Sequence, residues 1–95
     1  MRRYRATFGT TECEVHVQLG ADQAGARSAN GRCYTWDRRL GVLHPRGLEF
    51  GMDSEESLLH KARHQLETEF GSMVDWFINV TNQPPREVLK DTLSG

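Results

Sequence analysis

The fold turns on the stretch RYRATFGTTECEVHVQL, residues 3–19. Its first half alternates, with Tyr4, Ala6 and Phe8 on one side and Arg3, Arg5 and Thr7 on the other. The second half sets Cys13, Val15, Val17 and Leu19 against Glu12, Glu14, His16 and Gln18. A period of two sends successive side chains to opposite faces of a pleated strand, so strands over 3–8 and 12–19 are expected, each with one buried face. Between them Gly9-Thr10 places glycine first, where a type II′ hairpin turn requires positive φ. That turn pairs Ala6 with Cys13 and Tyr4 with Val15, and sets Arg5 opposite Glu14, a favourable cross-strand pair.

Downstream, residues 20–31 are small, polar and aperiodic. They read as a mobile loop about a dozen residues long, near the length at which connections carry function or disorder. A third strand is expected over 31–37, with Tyr34 and Trp36 on one face and Cys33 and Thr35 on the other. After a turn at His44-Pro45-Arg46-Gly47, the alternation of Leu48, Phe50 and Met52 suggests a short fourth strand over 47–51.

The period then changes. Asp53 or Ser54 can cap a helix, with Glu55 and Glu56 complementing its first turn. Leu59, Ala62, Leu66 and Phe70 recur at spacings of 3, 4 and 4, an amphipathic helix over 54–70. Gly71 is the expected stop, yet Met73, Phe77 and Val80 continue the stripe, with Asp75, Asn79 and Asn82 opposite. A helical extension over 72–82 follows, opened by a Ser72/Asp75 capping box. A strand with Val74, Trp76, Ile78 and Val80 on one face competes on β-branched content, but it leaves Phe77 among polar residues. The helix is preferred. A straight helix over 54–82 would be about 43 Å long, against a radius of gyration near ~13 Å for a domain this size. It must bend at Gly71-Ser72 or pack on another chain. Pro84-Pro85 ends the run, and a short C-terminal helix over 85–93 would carry Val88, Leu89 and Leu93. The fold class expected is α+β: one domain over 1–95, an antiparallel sheet of three to four strands packed on an amphipathic helix.

Leu, Ile, Val and Phe together number only 20 of 95 residues. A core so thin yields about 3–5 kcal/mol, which a second copy would supplement, so a homodimer is expected. Two cysteines are too few for a disulfide framework, and no apolar run has the length of a signal peptide or a membrane span. A cytoplasmic protein with reduced thiols and no membrane partner is the simplest reading. The net charge of −1 hides an asymmetry: residues 1–47 carry +4 and residues 48–95 carry −5. Such halves attract one another within a fold or present separate faces to partners.

No catalytic, metal or nucleotide motif emerges. His60 and His64 have the i, i+4 spacing of metal ligands but lack the glutamate of a metalloprotease motif, and they lie away from the apolar stripe. Cys13 and His16 have opposite parity on a strand, which excludes a local thiolate–imidazole pair. No glycine-rich segment has the flanks of a phosphate loop or dinucleotide site. No cofactor or metal is expected, and no enzyme. The chemistry concentrates in RCYTWDRR, residues 32–39, where Arg32, Tyr34, Trp36, Arg38 and Arg39 are the residue types enriched at protein–protein hot spots. Those five are the expected partner-binding residues, and Phe70, Met73, Trp76 and Phe77 the expected self-association residues. The function expected is a non-enzymatic protein–protein interaction or regulatory module, self-associating, with a protein partner of unspecified identity. The alternatives are a nucleic-acid binder using the same arginines and aromatics, which the acidic balance disfavours, and an enzyme of unspecified class.

Overall fold

The computed structural model describes residues 1–21, 27–52 and 54–90. Strands β1 (Arg2–Phe8), β2 (Thr11–Ala21), β3 (Arg27–Asp37) and β4 (Val42–Met52) precede helix α1 (Glu55–Phe70) and a two-residue strand, β5 (Ile78–Asn79). The sheet order is β4-β3-β2-β1-β5, with antiparallel neighbours throughout. A single parallel bridge from Val88 to Leu43 at the outer side of β4 makes the sheet mixed. The class is α+β, as the alternation and the helical stripe imply.

The hairpin has the expected register, with Ala6 opposite Cys13, Tyr4 opposite Val15 and Arg5 opposite Glu14. Gly9 has φ 61° and among the described residues no non-glycine has positive φ, which is the signature of a II′ turn at Gly9-Thr10. Gly9 is required twice over: a Cβ there would fall on the Phe70 carbonyl, where the hairpin meets the end of α1. The β3–β4 connection is tight. Asp37 accepts hydrogen bonds from the backbone N–H groups of Arg39 and Leu40, and Gly41 closes back on the Asp37 carbonyl at 2.8 Å.

Ser54 caps α1, its hydroxyl accepting from the Ser57 N–H at 3.1 Å, and Gly71 ends it at φ 117°. Asp53, the other cap candidate, lies outside the described residues. Leu58, Leu59, Ala62 and Leu66 seat the helix on the sheet face formed by Tyr4, Ala6, Phe8, Cys13, Val15, Val17, Ala29 and Cys33. Gly31 sits directly under Leu58, and a Cβ there would come within 2.7 Å of it. Arg2 pairs with Glu55, and Arg46 pairs with Glu69, so part of the basic N-terminal half is neutralised by the acidic helix.

Four expectations are corrected. The loop expected over 20–31 is strand at both ends, since β2 runs through Ala21 and β3 begins at Arg27; residues 22–26 lie outside the described residues. The fourth strand begins at Val42, five residues early, because Pro45 is paired with Tyr34 inside the strand and residues 46–48 form a bulge opposite Cys33 and not a turn. The helical extension over 72–82 is absent. Residues 73–80 instead lie along the open edge of β1, through a Phe8–Met73 bridge, Val74 N–H to Thr7 O, the β5 pairing and Val80 N–H to Arg3 O. Residues 75–77 bulge away from that edge and turn Phe77 into the core, 6.0 Å from the Phe8 ring. This reconciles the two readings of the stretch: it is extended, yet Phe77 is buried. The C-terminal helix over 85–93 is also absent through Lys90, with Val88 bridged to Leu43; residues 91–93 lie outside the described residues.

Candidate functional site

The sheet has a second face, away from α1, built by the other parity of each strand. One row across it is Arg5, Glu14, Tyr34 and Pro45, and the next is Arg3, His16 and Arg32. Glu14 is fully buried on this face. Burial raises its carboxyl pKa, but the hydrogen bond from His16 and the charge of Arg5 outweigh that and hold the group below the ordinary carboxylate range. Its Oε2 lies 3.1 Å from Arg5 Nη2 and its Oε1 2.9 Å from His16 Nε2. The Tyr34 ring covers His16, with centroids 4.4 Å apart.

Residues 80–90 form a strap that closes this face. At the β1 side, Arg3 donates from its backbone N–H to Thr81 Oγ1 and from its guanidinium to the Thr81 and Gln83 carbonyls. Midway, Arg86 stacks on Trp36, its guanidinium carbon 3.9 Å from the ring centroid, and pairs with Glu12. The same guanidinium lies 3.8 Å from Glu14. At the β4 side, Leu43 N–H donates to the Glu87 carbonyl at 2.7 Å and Leu89 N–H to the Leu43 carbonyl at 2.8 Å. Leu43, on the strap side of the sheet, is thereby fully buried.

A different surface lies at the opposite edge. Val74 and Ile78 are each 62% exposed and Trp76 is 43% exposed. They line one shallow groove with Asp75, Ala6 and Thr7, rimmed by Arg5 and Glu12. Trp76 is fixed on the helix side by His60, with centroids 5.0 Å apart, and by Arg63 over its ring.

The expected partner-binding residues separate. Arg32, Arg38 and Arg39 are exposed, but Tyr34 is buried on His16 and Trp36 is half-buried under Arg86. The expected self-association residues separate as well. Phe77 is core, and Phe70 and Met73 are half-buried against it, with Arg46 over the Phe70 ring. Trp76 is the member left at the surface. Residue-type reasoning missed Arg86, Val74 and Ile78. Two glutamates of one parity on β2, with Arg5 alone set against them by the hairpin register, were the available signal for a further cation such as Arg86.

Cys13 and Cys33 are buried on the helix side, and burial pushes each thiol up to about 12. Both should resist a disulfide reagent at pH 8 in the folded protein and react together on unfolding. Stoichiometric reaction before unfolding would contradict that packing. Among the described residues no three His, Cys, Asp or Glu side chains converge as a metal site. No described helix is long and apolar enough to cross a membrane. No protein-family model matches the chain, and neither a curated protein nor a solved structure does.

Proposed function

We propose that the protein is a non-enzymatic protein–protein interaction module that self-associates through its β5 edge. The observation that carries this reading is the exposure of Val74, Trp76 and Ile78 side by side on one edge, in a chain with few large apolar residues to spare. A tryptophan flanked by aliphatics and rimmed by Arg5, Glu12 and Asp75 has the anatomy of an interface centre with a polar rim. Edge strands also expose unpaired backbone groups that a second copy can meet across a two-fold axis. Burial of both thiols supports the non-enzymatic part, because it withdraws the two cysteine nucleophiles from substrate.

Static light scattering at tens of micromolar should report a dimer, in the range of ordinary association energies. Trp76→Ala combined with Ile78→Asp should weaken the dimer by about a hundredfold or more, since hot-spot truncations cost at least ~2 kcal/mol. A monomer at those concentrations would remove the self-association reading.

A further inference from the structure

The strap shows what its own seat accepts. We propose that the strapped sheet face is a binding site for an extended peptide of a partner protein carrying arginine and, two residues on, a β-branched residue, and that residues 86–89 occupy it in cis. The recognition is specific at three points. The peptide arginine stacks on Trp36 and meets Glu12, with Glu14 behind it. A backbone carbonyl and an N–H two residues apart clamp the N–H and carbonyl of Leu43. The residue between them, Val88 here, continues the sheet as a parallel strand, which is β-augmentation of the β4 edge. Lysine would serve poorly in place of arginine, because the planar guanidinium stacks and pairs at once.

The cover is suited to removal. Residues 82–85 (Asn-Gln-Pro-Pro) are exposed, and beyond the β1 anchor the described part of the strap is held by Arg86, which stacks on Trp36 and pairs with Glu12, by a hydrogen bond from Arg5 to Gln83 and by two backbone hydrogen bonds to Leu43. A tethered segment acts at an effective concentration on the order of millimolar, so it masks the site from weak ligands and yields to a partner with more contacts. Glu12 borders both this site and the β5 groove, whereas the Trp36 stack and the Leu43 clamp lie apart from that groove.

The test uses the 95-residue chain carrying Arg86→Ala and Val88→Asp, which loosens the strap, and a fluorescent synthetic peptide of sequence PPREVLK, residues 84–90. Anisotropy should show binding at least about tenfold tighter to this variant than to the unmodified chain, as removal of a competing tether requires. The peptide with alanine for arginine should bind about tenfold more weakly, the scale of a desolvated cation–π and ion-pair contact. Equal affinity for the two chains, or no binding to the folded variant at concentrations of about 1 mM, would overturn the proposal. A dimer of the unmodified chain that Arg86→Ala/Val88→Asp dissolves and Trp76→Ala leaves intact would seat a second copy's strap here and overturn the partner peptide. Should the variant fail to fold, amide exchange on the unmodified chain decides: Leu43 and Leu89 should exchange at least about tenfold faster than Val15 and Val17. Equal protection would mean the strap opens only with global unfolding, and the site is never presented.

Discussion

Phe8→Ala should destabilise the protein by about 3–5 kcal/mol, the cost of truncating a fully buried aromatic. Phe8 is 0% exposed and stands where β1, the Gly9 turn and residue 73 converge. Its ring packs against Phe77, which the 75–77 bulge delivers to the core. Removing it therefore opens a cavity and withdraws the surface that holds the 73–80 segment to the edge of β1. Close packing around Phe8 limits how far the site can collapse, which places the cost at the upper part of that range. Domains are stable by about 5–15 kcal/mol in total, so one with this small a core should be largely unfolded at 37 °C after the change. Urea titration followed by far-UV circular dichroism measures it, and a loss below about 1.5 kcal/mol would show that Phe8 does not anchor the core.

Glu14→Gln should cost about 3 kcal/mol at pH 7, because it leaves Arg5 and Arg86 facing a neutral amide in a buried setting. Glu14 has no exposure, and its two oxygens are divided between His16 and Arg5. Its folded-state pKa is depressed, so the associated stability is present above the unfolded glutamate value of about 4.3 and is lost as pH falls through the lower folded value. The unmodified protein should thus lose stability as pH falls below about 4.3, and Glu14→Gln should lose less over the same range. Urea midpoints for both chains across that range provide the comparison. Parallel pH profiles would place the acid sensitivity elsewhere. Because Arg86 reaches this carboxylate from the strap, the variant should also loosen residues 86–89 before the rest of the sheet.

These two expectations rest on different kinds of knowledge. Phe8 was readable as a core residue from alternation alone, since its parity matches Tyr4, Ala6, Cys13 and Val15. Glu14 was readable as the partner of Arg5 but not as a buried group, because parity placed it on the face expected to meet solvent. The strap covers the part of that face around Glu14, and nothing in the local pattern of β2 records a segment more than sixty residues downstream. The same long-range contact divides the expected partner face, leaving Arg32, Arg38 and Arg39 outside while Tyr34 and Trp36 are covered.

By itself the sequence determined the α+β class, the hairpin with its turn and register, and an amphipathic helix over 54–70 whose cap stayed open between Asp53 and Ser54 and whose stop at Gly71 competed with an extension over 72–82. Period-two alternation, a glycine at a positive φ and an N-cap hydroxyl act within a few residues, so local chemistry suffices. Tertiary structure alone decided residues 72–90. Met73, Phe77 and Val80 fit a helical spacing and a bulged edge strand equally well. The open edge of β1 resolves that ambiguity by offering hydrogen-bond partners to Val74, Ile78 and Val80 that a free segment lacks. Once drawn onto that edge, the chain is directed across the second face, and Trp36, Glu12 and Glu14 supply the seat for Arg86.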